Sequence, residues 1–278
     1  MLIKIGFDPV FFRVGQLALG WHGFFVALAV AVAVWLGLRG GKKLDLPSGP
    51  LQEVAIWALV GGVVGARLFH VLDHLSYYSS HPAEALAFWE GGIAVYGAFI
   101  GGIAGGMVTA FRNRLPVWPL LDVGAVAMLV GQAIGRLGCL YIGDAWGRPT
   151  GGHWGVVYTN PNAQLPSQLI GVPTHPYPLY EIAAVLCLLG VLWLMHRRMQ
   201  APGTLFLVVA LWYAATRFGL TFFRQEAIVV WGLQEAQVVA LGTGFTALAL
   251  LLVRLWLGHG IGPKQQYDPI RTGPLQTK

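Results

Sequence analysis

An all-α integral membrane protein with seven transmembrane helices, and a small cap on the outer (extracytoplasmic, or periplasmic) face between spans four and five, is the fold this sequence predicts. Three observations carry it. Of 278 residues, 56% are hydrophobic and only 11% charged, against about 25% charged in a soluble domain. The mean hydropathy is +0.62. Apolar stretches of about 20 residues, the length that crosses a bilayer, recur seven times along the chain.

Those stretches lie near 18–38, 52–74, 91–111, 118–137, 179–196, 203–223 and 234–257. The first is almost pure Ala, Val and Leu after Trp21, His22 and Gly23. The second carries Arg67, His70 and Asp73. The third is rich in glycine (Gly97, Gly101, Gly102, Gly105, Gly106), which lets helix backbones approach closely in lipid. Arg39, Lys42 and Lys43 follow the first span, Arg112 and Arg114 the third, and Arg197 and Arg198 the fifth; Lys264, Arg271 and Lys278 lie beyond the seventh. The opposite connections are poor in basic residues: 75–90 has none and 138–178 has only Arg148. Positive-inside bias therefore places the N-terminus outside and the C-terminus in the cytoplasm. The organisation expected is a seven-span domain over 1–257, with 138–178 as its turn-rich outer cap, and a polar tail over 258–278.

Several function classes find no support. The net charge of +6 belongs to the topology, since no basic run interleaves with aromatics as a nucleic-acid surface would. Met1–Asp8 lacks the basic region and small-residue cleavage pattern of a signal peptide. The two cysteines, Cys139 and Cys187, do not suggest a disulfide framework. No Gly-x-Ser-x-Gly elbow occurs, and no internal repeat marks an inverted-repeat transporter. His70 and His74, spaced i, i+4, share a helix face, but no HExxH or cysteine cluster completes a metal site. No metal and no organic cofactor is expected.

The ionisable residues at the membrane boundary attract attention, because charge at that depth is costly. Arg136 follows an apolar run between Gly135 and Gly138; its fork either meets a phosphate in two parallel hydrogen bonds or snorkels to the interface. Arg217, late in the sixth span, reaches the same side, and Arg224 lies further out towards lipid or solvent. Arg67 is mid-span, with Asp122, or Glu90 and Asp73, as partners in a buried pair, or else contacts substrate. Asp144 either pairs with Arg148 in a turn or orients Arg136 and takes a proton. Glu181 either complements the start of the fifth span or partners an arginine. Cys139 has no evident base beside it and fits a small buried residue.

Residues Gly135-Arg136-Leu137-Gly138 through Gly143-Asp144-Ala145-Trp146-Gly147-Arg148 resemble the signature of the prolipoprotein diacylglyceryl transferases. Further matches run in order along the chain: Gly65–Val71, Trp89–Ala98, His175-Pro176 with Leu179-Tyr180-Glu181, and Arg217-Phe218 with Phe222-Phe223-Arg224. The resemblance implies a bacterial inner-membrane enzyme that moves the sn-1,2-diacylglyceryl group of phosphatidylglycerol onto the lipobox cysteine of a preprolipoprotein. A thioether forms and glycerol phosphate leaves. It implies that Arg136 and Arg217 hold the phosphate, and that Gly147, Arg67, His22 and Glu181 help bind substrate. Asp144 stands where the family usually has Glu. Tyr96 stands where some members have a histidine proposed as base, so Asp144 or Tyr96 is expected to assist deprotonation. Cys139 and Ile142 replace two signature asparagines, Thr221 stands where many members have glutamate, and His22 holds a position often given to tyrosine. A relative that binds or translocates anionic lipid without chemistry is the alternative these departures leave open.

Overall fold

The structure is a computed structural model describing residues 2–14, 17–87, 92, 94–195, 201–225 and 228–257. Trp89, Glu90, Gly91 and Ile93 of the third motif, Arg197 and Arg198, and the tail 258–278 lie outside the described residues. The chain divides into two units, Met1–Ala33 with Asp122–Lys278, and Val34–Leu121.

Every predicted span finds a helix. They are α1 (Trp21–Lys43), α2 (Ser48–Asp73), α4 (Val95–Arg112), α5 (Val117–Ile142), α6 (Tyr177–Met195), α7 (Thr204–Thr221) and α8 (Glu235–Trp256), with a short α3 (Leu75–Ser80) after α2. Six of them (α1, α2, α5, α6, α7 and α8) are long and apolar enough to cross a membrane. Their surfaces carry exposed apolar side chains such as Trp57, Val63, Leu186 and Phe245, which in water would be a liability and in lipid are solvated. The helical class and the membrane character both hold.

Two differences from the sequence reading matter. First, α5 does not end at 137 but runs on to Ile142, so Arg136 and Cys139 are helical and the loop begins at Gly143, at φ +80°. Second, short strands are present. β1 (Leu2–Ile5) pairs in parallel with β4 (Gly155–Tyr158), β2 (Val10–Val14) forms a hairpin with β3 (Leu17–Gly20), and β5 (Ile228–Val230) pairs with β6 (Leu233–Gln234).

In the first unit, α5 and α6 share a core of Leu129, Val185, Leu188 and Leu192. The start of α1 lies close against α5, because a Cβ on Gly138 would stand 3.0 Å from Phe25 Cβ and 3.3 Å from His22 Cα. Asp122, at the start of this unit's α5 segment, has partners of its own at the start of α7. Its carboxylate accepts from the Gly203 and Phe206 amides (2.5 and 2.8 Å) and so satisfies the first turn of α7. The α5–α6 connection has its own small core of Ile5, Val156, Tyr158 and Leu165.

In the second unit, α2 and α4 pack through glycine. A Cβ on Gly61 or Gly65 would collide with the carbonyl of Gly101 or Gly97, and a Cβ on Gly101 with that of Gly61. Backbone therefore touches backbone, the close approach that small residues permit in lipid. Gly101→Leu is expected to lower the melting temperature of the detergent-purified protein, at a cost of about 1–3 kcal/mol or more for overpacking. Gly106→Ala, whose Cβ would meet Ala58 Cβ at an ordinary 3.4 Å, is expected to leave it unchanged.

Candidate active site

Three helices of the first unit bring their charges to one point. α5 supplies Arg136 in its last two turns, α6 supplies Glu181 in its second turn, and α7 supplies Arg217 near its end. Pro178, in the first turn of α6, has no N–H to leave unsatisfied there, which starts the helix two residues earlier than predicted and fixes the depth of Glu181.

Glu181 is 4% exposed and lies between both guanidinium groups. Arg136 Nε stands 2.5 Å from Oε2 in an ion pair, and its Nη2 donates to Oε1 at 3.0 Å. Arg217 Nη1 donates to the same Oε1 at 3.0 Å and to the Tyr177 hydroxyl at 2.8 Å. That hydroxyl in turn donates to Oε1 at 3.4 Å. Of the two readings open for Glu181, the geometry selects the arginine partner. Tyr177 is fully buried and was given no role from the sequence. Its place one helical turn before Glu181 was the only available signal. Arg224 does not extend away: its guanidinium carbon lies 5.1 Å from the centre of the Tyr177 ring, against 6.0 Å for Arg217. Arg136, Arg217 and Glu181 together carry two positive charges and one negative, a formal +1.

An apolar cleft opens beside this cluster. Leu129, Gln132, Ala184, Trp212 and Thr216 line it, with Glu181 and Arg217 as its charged part. It has room for about one water, some 10 Å³.

Asp144 follows Gly143 at the end of α5. It does not pair with Arg148, which is exposed and donates through Nε to the Arg224 carbonyl at 2.9 Å. Asp144 Oδ2 instead lies 3.7 Å from His22 Nδ1, and His22, Cys139 and Asp144 present their donor atoms within 4.8 Å of one another. Cys139 Sγ also accepts from Arg136 Nη1 at 3.7 Å. Beneath the loop, Tyr158 donates to the Leu140 carbonyl at 2.9 Å. Burial, followed by the charges of Asp144 and Cys139, pushes its phenol well above the usual range, so it stays a neutral donor.

Gly147 is buried against His175, where a Cβ would sit 2.5 Å from His175 Cβ. Around it, Arg148 N–H donates to the Phe223 carbonyl at 2.7 Å and His175 N–H to the Arg148 carbonyl at 2.9 Å. The glycine thus lets the loop lie flat on the chain before α6 and the end of α7. His175 Nδ1 is 3.0 Å from the Tyr180 hydroxyl, and its ring meets Trp154 and Phe223.

Arg67 and Tyr96 belong to the second unit. Arg67 donates to the carbonyls of Glu84, Ala85 and Gly92 at 2.5, 3.0 and 2.9 Å, which ties the segment after α3 to mid-α2. Tyr96 is half-buried in the first turn of α4.

The prolipoprotein diacylglyceryl transferase family model matches residues 9–253, nearly the whole chain. The chain belongs to the prolipoprotein diacylglyceryl transferase family. Its relatives agree. It is 35% identical to a phosphatidylglycerol–prolipoprotein diacylglyceryl transferase of Thermosynechococcus vestitus, over 82% of this chain and 86% of that protein. A Dehalococcoides mccartyi protein of the same name is 36% identical over 91% of this chain and 96% of its own length. One from Lactobacillus acidophilus is 30% identical over 96% and 99%. The transferase signature named from sequence therefore coincides with the end of α5 and the loop that Gly143 opens.

Two outcomes follow from this geometry. Glu181→Gln removes the buried carboxylate between two cations, and its thermal stability in detergent is expected to fall by the equivalent of about 3–5 kcal/mol, the scale for breaking a buried pair. Burial lowers the pKa of His175 below its ordinary 6.5, so protonation opposes folding. Stability is therefore lost as pH falls below 6.5 towards the depressed value and is level above it. Melting curves from pH 7.5 to 5 are expected to slope accordingly, and His175→Gln to flatten that slope.

Proposed function

We propose that this chain catalyses the transfer of the sn-1,2-diacylglyceryl group from phosphatidylglycerol to the lipobox cysteine of a preprolipoprotein, the first step of lipoprotein maturation. The observation that carries the reading is the formally +1 cluster of Arg136, Arg217 and Glu181, set in an apolar helix bundle, in a chain of this family. A phosphodiester brings one negative charge and its acyl chains bring hydrocarbon.

The reaction is a displacement at carbon. The thiol sulfur attacks the glyceryl carbon that bears the phosphate, the C–S bond forms, and the C–O bond to phosphorus breaks. The thiol proton is released, and the leaving glycerol phosphate carries one more negative charge than the diester did. Arg136 and Arg217 meet that increase, and preorganised donors in a water-poor site stabilise developing charge strongly. A free thiol has a pKa of about 8.5 and already supplies some thiolate at neutral pH. Asp144 or Tyr96 assists its formation. Gly147 fixes the loop that carries Asp144 and His22 flanks it; Arg67 is a further substrate-binding residue on this reading.

The topology that fits is seven spans, with α4 joining the six long apolar helices. The N-terminus and the cap over 138–178 lie outside, the tail over 258–278 lies inside, and the seven-span domain over 1–257 is anchored in the bacterial inner membrane. The partners are phosphatidylglycerol, lipobox-containing preprolipoproteins and membrane lipid, with no nucleic acid.

Incubating the purified protein with labelled phosphatidylglycerol and a lipobox peptide is expected to add a diacylglyceryl mass to the peptide cysteine and release glycerol phosphate. Arg136→Ala and Arg217→Ala are each expected to lower turnover by about 10²–10³-fold, the scale for losing one charge-stabilising donor. Lipid retention with an unmodified peptide would leave a lipid-binding relative instead. Unchanged turnover at pH 7 in the Asp144→Ala and Tyr96→Phe double variant would remove both from proton handling.

A further inference from the structure

We propose that His22 Nδ1, Cys139 Sγ and an Asp144 carboxylate oxygen form a binding site for a zinc-class divalent cation, with one coordination position open to a substrate thiol. These three donors come from the first turn of α1, the last turn of α5 and the loop after it, yet they lie within 4.8 Å of one another. Two of the atoms concerned, His22 Nδ1 and Asp144 Oδ1, are buried and have no hydrogen bond among the described residues; Asp144 Oδ2 stands 3.7 Å from that nitrogen, too far for one. A buried polar atom without a partner is costly and calls for an explanation.

The chemistry of the set selects the ion. One nitrogen, one sulfur and one carboxylate suit zinc or cobalt, whereas magnesium and calcium take oxygen alone. Bonds of about 2.0–2.3 Å place tetrahedral ligand atoms roughly 3.3–3.8 Å apart, so a contraction of about 1 Å seats the ion. Charge also balances. A thiolate and a carboxylate neutralise a dication, and the neighbouring Arg136, 3.7 Å from Cys139 Sγ, is already paired with Glu181. Binding releases the Cys139 proton to solvent.

Three protein ligands leave a tetrahedral ion with one open position, the arrangement of zinc sites that take a water or substrate. A thiol entering it loses its proton outright, to solvent, and becomes a nucleophile held next to the arginine pair. The thiol half of this inference rests on the transferase reading; the metal half does not.

Cobalt titration of the chelator-stripped, detergent-purified protein tests it. One cobalt per chain is expected, with an intense thiolate-to-cobalt absorption band. That band is lost in Cys139→Ser and kept in Cys187→Ser, the other cysteine being exposed on α6. His22→Gln, at a half-exposed ring, is expected to weaken affinity by at least about tenfold, a loss that even outer-shell changes reach. No band in the unaltered protein, or a band unchanged in both Cys139→Ser and His22→Gln, overturns the site. A lipobox peptide is then expected to shift the cobalt spectrum, and its serine counterpart to leave it unchanged. A spectrum insensitive to the cysteine peptide, in protein that still yields product by mass, overturns the thiol half alone. Absence of product overturns the transferase reading and the thiol half together, while the titration still decides the metal.

Discussion

The carboxylate of Glu181 is the constraint on which the rest of the first unit depends. A charge 4% exposed within an apolar bundle is far more costly than at a surface, and it is tolerated only with close, well-aligned counter-charges. Here it receives a hydrogen bond and a second ion-pair contact from Arg136, a bond from Arg217 and a weaker one from Tyr177. Those partners lie on α5, α6 and α7, so neutralising one group sets the rotation and depth of three helices. The apolar contacts of Leu129 with Val185, Leu188 and Leu192 press α5 and α6 together without regard to register. The carboxylate supplies the register.

The connection between α5 and α6 is held by a second, smaller set of constraints. Gly143 turns the chain out of the helix at φ +80°, over the ring of Tyr158. Tyr158 returns a hydrogen bond to Leu140, and the backbone of residue 148 is bonded both to residue 223, just past α7, and to residue 175. Parallel pairing of β1 with β4 adds the N-terminal segment to the same structure. Asp144 is therefore carried on a loop fixed at both ends, which matters for a group whose distance from a reacting thiol decides its usefulness.

How far the sequence could be read follows from which of these forces are local. Span positions came from hydropathy, and each helix lies within a few residues of its prediction because lipid demands a continuous apolar run. The end of α5 was misplaced by five residues for a physical reason. Gly135 and Gly138 look like helix-ending signals in a soluble protein, but Gly138 makes room for Phe25 and His22 of α1, the use glycine has inside a membrane. The convergence of Arg136 and Arg217 was legible from topology, and Glu181 as their partner was one of two open readings. The pairing of β1 with β4, the packing of Gly147 on His175 and the meeting of His22 with Asp144 were not legible. Each joins residues remote in sequence, and no periodicity records such a contact.

On the proposed transferase reading, the electrostatics of the arginine pair explain why a buried carboxylate belongs beside an anion. Without Glu181, two guanidinium groups at this depth would repel each other and draw in water or counter-ions that a lipid would have to displace. With it, both are oriented before any lipid arrives, and little reorganisation is left for the moment of reaction. On that reading the formal +1 of these three residues, with Arg224 a further cation on the Tyr177 ring, attracts a diester in the ground state. Extra charge appears as the C–O bond breaks, so attraction grows along the reaction coordinate. Interactions that strengthen between ground state and transition state are the ones that accelerate a reaction. A cluster neutralised completely would bind the departing phosphate too weakly for this, and one with no carboxylate would hold the lipid and the released glycerol phosphate alike.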